Sequence, residues 1–417
     1  MLRAIRIRIG LLFLFLLPSA LAQKTYTWQE LRERFESSNP TLQAAQENVT
    51  ETRAMEITAY LRPNPDATFG IDQLEPFVPN PYRPFSQALP SASISYLHER
   101  RHKRELRLEA AKQGTAIAES QLQDQRRTLL FSLRNAYVQL LQAKAVYAQA
   151  KDNIEQYDKV IDVNRERKKA GDIAQVDLDR IELMRVQFES DLQTAEVNLR
   201  TAKINVLTLL NDRTPINQFD ATGPFDFSDS IEPLDDLRRQ ALEARPDLKA
   251  AVETVEQARS NYRLAVANGS TDPTFGFDIA RNPPSLSQYI GFNVSIPLRI
   301  FDRNQGEKAR TAVDIRRNQK LLEANQAQVF SDVDSAYAMV NSTVALLKPY
   351  KDHYLAQSTR VRDTINFSYQ HGAASLLDFL QAQQDYRATQ VTYLNLIGSY
   401  LTAASQLNMA VGREVIQ

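Results

Sequence analysis

Four short segments of the chain alternate between apolar residues and polar or small residues, which is the pattern of a β-strand with one apolar face. The apolar positions are Phe69 and Ile71, then Ile94 and Tyr96, then Phe275, Phe277 and Ile279, then Ile290, Phe292, Val294 and Ile296. Such strands fit a half-buried soluble sheet. They also fit a sheet whose apolar face contacts lipid, and four of them in one chain make that second interpretation more attractive.

Helical periodicity fills most of the remaining chain. Residues from about 104 to 170 contain no proline, and Leu122, Leu129, Leu133, Tyr137 and Leu140 follow the spacing of a coiled-coil seam. A helix of this length would be roughly 100 Å long. Further helices are predicted over 28–61, 175–210, 234–268, 307–369 and 376–411. Because compact domains do not use such long helices, the pattern favours an extended hollow bundle.

The two halves of the chain repeat one another. Pro40, Leu42 and Ala44 recur as Pro246, Leu248 and Ala250, and the correspondence continues to Gly171 with Gly372 and Asp177 with Asp378. A period this long indicates duplication of one large unit rather than a solenoid. The predicted domains are a signal peptide over 1–22, a first repeat over 23–212, a linker over 213–233, a second repeat over 234–412 and a tail over 413–417.

The first 22 residues predict a secretory signal peptide. Arg3, Arg6 and Arg8 precede a short apolar run, and the small residues at 19–22 form a cleavage site. No later stretch approaches the length of a transmembrane helix, so a membrane-spanning region would have to consist of strands. Four strands cannot close a barrel alone because their edges would be unpaired in lipid, so we expect an oligomer.

Composition argues against several function classes. Lys and Arg together number 50, as do Asp and Glu, so there is no basic excess to suggest a nucleic-acid partner. The absence of cysteine excludes disulfides, thiolate metal sites and a cysteine nucleophile. Glycine-rich nucleotide-binding motifs are also absent from the sequence. We therefore predict no enzymatic activity, no cofactor and no metal site.

One string, His98-Glu99-Arg100-Arg101-His102, matches the H-E-x-x-H motif of zinc proteases. On a helix the two histidines could bind zinc while Glu99 activates water. However, the string lies at a strand-to-helix junction and is rich in arginine, which would repel a divalent cation. We favour a basic cluster at the membrane edge that contacts phosphates of lipid or lipopolysaccharide, and keep the zinc protease as an alternative hypothesis.

Several strings resemble the TolC-type outer-membrane efflux channels, in order along the whole mature chain. Residues 39–42 (NPTL) and 245–248 (RPDL) look like the family's N/R-P-x-L signature. Residues 296–306 (IPLRIFDRNQG) are similar to the P-L-x-F-D-R-N-Q-G segment of the cation-efflux, Czc-type branch. Residues 372–378 match the family's G-x-x-S-x-x-D turn fully, and residues 171–177 match it in part.

This resemblance implies a fold that is mainly α with a small β part. It comprises a long antiparallel coiled-coil helical barrel and four strands per subunit, contributed to a trimeric, twelve-stranded transmembrane β-barrel. The implied protein is a homotrimer in the cell outer membrane with its helical part in the periplasm. It would be the passive exit duct of a tripartite efflux or type I secretion system, opened by an inner-membrane pump and a periplasmic adaptor. Heavy-metal cations or drugs are the implied cargo. A secreted periplasmic coiled-coil adaptor or scaffold is the alternative hypothesis.

The resemblance also implies functional residues at the two tip turns. In the family pattern an Asp lines the closed aperture, and a Tyr three residues before the turn Gly belongs to the closing network. The aperture and gating positions carried over are Asp378, Tyr369, Asp177 and Gln381. The tip turns that would meet the adaptor contain Gly171, Gly372 and Ser375.

Two departures from the family pattern bear on the gate. Ala374 replaces the Arg, and Gln381 the second Asp, of the best-known members. Arg167, Lys168 and Lys169 are therefore alternative gate candidates, although a charged run is more often a solvated face. Ser375 and Asp378 also have the spacing of a helix capping box, which is the purely structural interpretation of Asp378.

Overall fold

The computed structural model describes residues 24–74, 77, 85, 88–282 and 286–416. The predicted signal peptide and most of the proline-rich loop after β2 lie outside the described residues. The first half contains β1 (Lys24–Tyr26), α1 (Trp28–Ser38), α2 (Pro40–Tyr60), β2 (Asp66–Asp72), β3 (Leu89–Leu97), α3 (Lys103–Ala170) and α4 (Gln175–Leu209). A 3-10 turn (Ile216–Gln218) and β4 (Phe219–Ala221) follow. The second half contains α5 (Leu234–Ala244), α6 (Pro246–Asn268), β5 (Thr274–Asn282), β6 (Leu286–Ser295), α7 (Gln305–Pro349), α8 (Leu355–Gln370) and α9 (Leu376–Val411).

Each predicted opening helix is in fact two helices. Asn39 and Arg245 have extended backbones, with ψ of 116° and 120°, and each is followed by a proline that begins the next helix. The residue before a proline avoids the helical region, whereas proline itself is favoured at the first helical position. The prediction of single helices over 28–61 and 234–268 was therefore wrong at Pro40 and Pro246.

The two longest helices differ in continuity. α3 runs without a break through 68 residues. Its counterpart is interrupted, because α7 ends at Pro349, Tyr350–Tyr354 form a π-helix, and α8 then begins. Proline lacks an N–H group and its ring clashes with the preceding turn, and a π turn accommodates one extra residue in a disturbed ladder. The prediction of one unbroken helix over 307–369 missed this interruption.

The long helices stand side by side in one layer, here called the helical wall. Near the sheet, α3 packs between α2 and α6, and α7 packs on the far side of α6. Toward the tip turns, α3 packs between α4 and α9, and α8 packs on the far side of α9. Four helices therefore lie side by side at each level. α2 and α4 form one edge of the wall, and α7 and α8 form the other.

Three clusters of buried apolar side chains stabilise the wall. One surrounds Leu133 and Leu140 of α3, where this helix meets α1, α4 and β4. The second joins α7, including Leu347, to α5 and α9. The third lies at the tip and includes Tyr369 and Phe379. Each fully buried large apolar side chain contributes about 1.5–3 kcal/mol of transfer free energy, so these clusters fix the helices relative to one another.

The main sheet has the strand order β2-β3-β5-β6, with every neighbouring pair antiparallel. Its register places the predicted apolar residues on one face. All of them are exposed except Tyr96, which is half-buried. Among the described residues, β2 and β6 each have a strand partner on one side only. That the apolar face contacts lipid stays a prediction.

A second, two-stranded parallel sheet joins β1 to β4, and sequence patterning did not predict it. Lys203 Nζ donates to the Phe219 carbonyl at 2.7 Å, and Lys144 forms an ion pair with Asp220. The linker between the repeats is thus held against α3 and α4. No helix among the described residues is both long and apolar enough to cross a membrane.

Candidate functional site at the tip turns and the strand faces

The two tip turns have the same backbone geometry. Gly171 ends α3 with φ of 85°, and Gly372 follows α8 with φ of 73°. Side chains other than glycine rarely adopt this left-handed conformation. A Cβ atom on either glycine would meet no heavy atom within 4 Å. Backbone conformation rather than space therefore explains glycine at both turns.

The second turn is closed by a capping box at the start of α9. The Ser375 hydroxyl accepts from the Asp378 N–H at 3.1 Å, and the Asp378 carboxylate accepts from the Ser375 N–H at 3.2 Å and from its hydroxyl at 2.7 Å. These hydrogen bonds lower the pKa of Asp378, the side-chain bond most strongly. The carboxylate is nonetheless exposed, so it remains available to the aqueous space at the tip.

The first turn lacks this cap. Ala174 stands at the N-cap of α4 and has no side chain that can accept a hydrogen bond. Asp177 lies in the first turn of α4, where a carboxylate interacts favourably with the helix dipole. The two turns therefore share their glycine and their Asp, but only the second has the hydrogen bonds that fix the Asp side chain.

Tyr369 is the buried centre of the tip. Its ring stacks on Phe379, with centroids 4.9 Å apart, and the Arg167 guanidinium lies 5.1 Å from the ring centroid. The Tyr369 hydroxyl and Arg167 Nη1 are both buried without a hydrogen-bond partner among the described residues. Burial raises the pKa of Tyr369, the Arg167 charge opposes that rise, and Asp177 adds to it. The structure thus brings Tyr369, Arg167 and Asp177 together.

A second aromatic pair supports this centre from below. Tyr157 of α3 stacks on Phe188 of α4, with ring centroids 4.5 Å apart, and its hydroxyl donates to the Ile181 carbonyl at 2.9 Å. Burial raises the pKa of Tyr157 far above its ordinary value. The hydroxyl therefore acts as a neutral donor that ties α3 to α4.

The remaining predicted tip residues lie apart from this centre. Gln381 is exposed and its amide donates to Asp385 at 2.7 Å. Lys169 pairs with Glu166 on its own helix at 2.7 Å, as expected of a solvated face. Sequence analysis missed Phe379, although an apolar residue directly after the capping Asp could have indicated a buried partner for Tyr369. The gating roles of these residues stay predictions.

The polar face of the main sheet is acidic. Asp66 and Asp72 lie on this face of β2, and Asp278 lies on it in β5. Asn293 of β6 donates to Asp278 at 3.5 Å, and a Cβ at Gly291 would come within 2.6 Å of the Asp278 carboxylate. Among the described strand residues, this face carries no Lys or Arg. The sheet therefore separates an apolar face from an acidic one.

The H-E-x-x-H string does not form a zinc site. His98 directly follows β3, whereas His102 is the left-handed N-cap residue of α3, so the two histidines do not share a helix face. Glu99 accepts hydrogen bonds from both Nη1 and Nη2 of Arg107. No group of three or more potential ligands that could hold a metal ion occurs in the described part of the chain. The zinc-protease hypothesis is wrong because its helix is missing.

Comparison with known proteins supports a transport role. Residues 237–413 match the family model described as "Outer membrane efflux protein". The cobalt-zinc-cadmium resistance protein CzcC of Cupriavidus metallidurans is 22% identical over 377 residues, which cover 90% of this chain and 87% of CzcC. The pyoverdine export outer membrane protein OpmQ of Pseudomonas aeruginosa is 24% identical over 297 residues, which cover 68% of this chain and 61% of OpmQ.

Solved structures share the fold. A crystal structure of CusC is 19% identical with a TM-score of 0.78, and the match covers 93% of this chain and 92% of CusC. The open state of the Neisseria gonorrhoeae MtrE outer membrane channel is 17% identical with a TM-score of 0.77, and covers 93% and 89% of the two chains. The matches confirm the predicted fold class, the resemblance to TolC-type channels, the outer-membrane location and the efflux-channel role. The adaptor hypothesis is set aside.

Proposed function

We propose that this protein is an outer-membrane efflux channel that works as a homotrimer, in which each copy supplies four strands and one helical wall to a continuous exit duct. The observation that carries the proposal is that the sheet and the wall have their free edges on the same two sides. One side presents β2, α2 and α4, and the other presents β6, α7 and α8. A ring of copies joined head to tail would cover all of these edges.

The strand edges suit such a ring. Every neighbouring pair in the order β2-β3-β5-β6 is antiparallel, so β6 of one copy meets β2 of the next in the antiparallel sense. Unpaired backbone groups are costly in hydrocarbon, whereas closure satisfies all of them. The exposed apolar face would then point outward to lipid, and the acidic face would line the lumen.

The helix edges are apolar where a surface facing only water would be polar. On α4, Leu183 is 69% exposed, and Val186 and Val197 are each 60% exposed. On the opposite edge, Met339 of α7 and Phe367 of α8 are similarly exposed. Large exposed apolar patches mark interaction surfaces. Contact between these two edges would bury both.

Three copies fit the size of a duct better than two. Two copies would supply eight strands, and the interior of such a barrel is only wide enough to be filled by side chains. Three copies supply twelve strands, which leave room for an open lumen, and twelve helices around each level of the periplasmic tunnel.

The decisive experiment measures mass and conductance together. Native mass spectrometry of the detergent-purified protein is expected to give three times the mature mass, and planar bilayers are expected to show discrete channels. Leu183→Glu should abolish both, because it places a charge in the interface between copies. Ala148→Glu adds the same charge to an exposed position of α3, a helix with neighbours on both sides within the same chain, and should leave both intact. A monomer with wild-type channel activity would contradict the proposal.

For the gate, we propose that the tip is pinched shut at rest and opens when the periplasmic adaptor and the inner-membrane pump engage the turns at Gly171 and Gly372. Three copies would place three exposed Asp378 carboxylates around one aperture. Tyr369, Arg167 and Asp177 would hold the two turns of each copy together from within, and Gln381 would extend the aperture along α9. The channel itself performs no chemistry.

Cations are the proposed cargo class, because the Asp378 ring and the acidic strand face both attract positive charge. One relative's name refers to cobalt, zinc and cadmium resistance and the other's to pyoverdine export, so the two names do not indicate one cargo. The proposal of metal cations as cargo therefore rests on the electrostatics alone. Asp378→Ala should reduce the cation preference measured as a reversal potential across a salt gradient. An unchanged reversal potential and an unchanged resting conductance would show that Asp378 acts only as part of the helix cap.

A further inference from the structure

The two strand-to-helix junctions occupy equivalent positions in the repeats but differ in chemistry. The first, residues 98–102, connects β3 to α3, and the second, residues 296–304, connects β6 to α7. The first is rich in basic residues and the second in exposed apolar residues. Both lie directly below the apolar face of the sheet, and His98 packs edge-on against Phe275 of that face. We call the two junctions together the collar.

The second junction exposes an unusual amount of apolar surface. Phe301 is 89% exposed and Leu298 is 78% exposed, with Ile296 and Ile300 also above half. These four residues continue directly from the lipid-facing positions of β6. Since they lie at the end of the strand, they occupy the level at which a membrane meets water, where amphipathic segments are stable.

Three arginines of the collar, Arg101, Arg299 and Arg303, have no side-chain acceptor among the described residues. Arg101 is exposed and forms no ion pair among the described residues, although its neighbours Lys103 and Arg104 pair with Asp272 and Glu105. Arg299, between the exposed apolar residues of the second junction, has a buried Nε with no hydrogen-bond partner in the described part of the chain. The collar therefore combines apolar anchors with unsatisfied guanidinium donors.

The backbone of the first junction is also strained. Arg101 and His102 have φ of 61° and 56°, so two consecutive residues other than glycine adopt the left-handed conformation. In the second junction only Asn304 does so, and its side chain compensates by donating to the Ala265 carbonyl at 2.7 Å. Strain of this kind persists at sites where an interaction holds it. No side-chain hydrogen bond caps α3 at His102.

We propose that the collar binds the phosphate groups of phospholipids in the periplasmic leaflet of the outer membrane. Guanidinium groups bind phosphates through paired N–H donors, and basic residues beside an apolar interface attract anionic lipids. This inference rests on the proposed function, because that assignment places the helices in the periplasm. The collar lies at the helix end of the sheet, whereas lipopolysaccharide would meet the opposite, loop end. The earlier choice between lipid and lipopolysaccharide is thereby narrowed to phospholipid.

The test titrates the detergent-purified trimer with short-chain phosphatidylglycerol and reads the number of bound lipids by native mass spectrometry. Arg101→Gln and Arg299→Gln should each weaken binding roughly five-fold, the effect expected for one basic residue at a membrane surface. Arg310→Gln is the matched control, because Arg310 lies farther down α7 and pairs with Glu307 at 2.6 Å. Arg299→Lys should retain most of the affinity, since it keeps the charge. Phe301→Ser should weaken phosphatidylglycerol and phosphatidylcholine equally.

Several outcomes would overturn the proposal. Unchanged phosphatidylglycerol affinity in both arginine variants would show that the collar does not bind phosphate. Loss of affinity for lipopolysaccharide in the same variants would show that the collar contacts the outer leaflet, which contradicts the proposal. Because Arg101 is exposed, its variant should keep the trimer mass and channel conductance of the wild type. Failure of the collar is therefore distinguishable from failure of the duct, in which the wild type itself would be neither trimeric nor conducting.

Discussion

The two long helices of this protein occupy equivalent places in the two repeats, yet one is continuous and the other is not. α3 keeps a single register from the sheet to the tip. α7 and α8 are separated by a π-helix directly after Pro349. The buried faces on either side of the interruption still pack against α9. The π turn therefore acts as a one-residue insertion that leaves both flanking helices in register.

The linker between the repeats contacts this interruption. Lys348 pairs with Asp229 at 2.9 Å, and Lys351 pairs with Asp226 at 3.2 Å while lying 5.0 Å from the Phe227 ring centroid. The Ser228 N–H donates to the Tyr400 hydroxyl at 3.2 Å, which anchors the same segment to α9. Residues 226–229 of the linker thus brace the interrupted helix, whereas residues 219–221 hold the linker against α3 and α4.

The largest difference between the two helices should appear on deleting one residue. Removal of Asp152 from α3 would rotate everything beyond it by about 100° and move Tyr157 and Ile161 off the buried face. We expect no assembled protein in the membrane fraction. Removal of Asp352 takes out the extra residue of the π turn and restores an ordinary helix between α7 and α8. That variant should assemble nearly as the wild type does, measured by trimer yield and melting temperature. Equal damage from both deletions would contradict the insertion model.

The next largest effect concerns core packing. Leu140 of α3 and Leu347 of α7 are both 0% exposed, and truncating either to Ala should cost about 2–5 kcal/mol. Because Leu347 lies two residues before Pro349, its surroundings can collapse more easily into the cavity. The free energy of unfolding lost in Leu347→Ala should therefore fall at the lower end of this range. Urea unfolding midpoints of the two variants measure this. The half-exposed Leu242 offers a control, since Leu242→Ala leaves a smaller cavity. A larger loss at Leu347 than at Leu140 would show that the interrupted helix is the stiffer one.

A smaller difference is expected at the tip turns. Ser375→Ala should destabilise the start of α9 by about 1 kcal/mol, and Ala174→Ser should stabilise the start of α4 by a similar amount. Hydrogen exchange of the amides at both turns would measure these changes. Identical exchange at the two wild-type turns would show that the cap has no effect.

The same cap should depend on pH. The pKa of Asp378 is lowered in the folded protein, so the carboxylate contributes stability above its ordinary pKa of 3.8. That contribution is lost as the pH falls through the lowered folded value. Exchange at the second turn should therefore rise in acid more than exchange at the first.

The smallest effect is expected for the brace. Asp229 and Lys348 are exposed, and exposed ion pairs contribute little because water and salt screen them. Asp229→Asn should lower the melting temperature slightly at low ionic strength and not at all at high ionic strength. Glu323→Gln, which breaks the Lys320–Glu323 pair at 2.8 Å elsewhere on α7, provides the matched control. If Asp229→Asn lowered the melting temperature equally at low and high salt, the linker would stabilise the helix through packing rather than through the ion pair.

Local sequence signals made most of the fold predictable. The bounds of α3 and α9 follow from glycine at their ends and from long stretches without proline, and the alternation in Phe275 to Ile279 is visible without any partner strand. The break at Pro40 was missed because apolar periodicity continues through it. The proline signal was present, but the helical period was given more weight.

Features that depend on distant contacts were not predictable. Pro349 was a local signal for the interruption of the long helix, but nothing local indicates that it takes the form of a π-helix between two helices that both pack against α9. β1 and β4 are three residues each and form a sheet only through pairing across the first repeat. At the tip, Asp378 and its cap follow from spacing. The stacking of Arg167 on Tyr369 requires the actual packing of α3 against α8 and α9.

The edges of β2 and β6, which have no strand partner in the described part of the chain, have a consequence for heredity. If three subunits share every seam, a variant that blocks one edge damages each ring it enters. In a cell making equal amounts of normal and blocked subunits, only about one ring in eight would contain normal subunits alone. Edge mutations should therefore be dominant over the normal gene. The effect of a mutation confined to a gating side chain should instead scale with the fraction of mutant subunits in the cell.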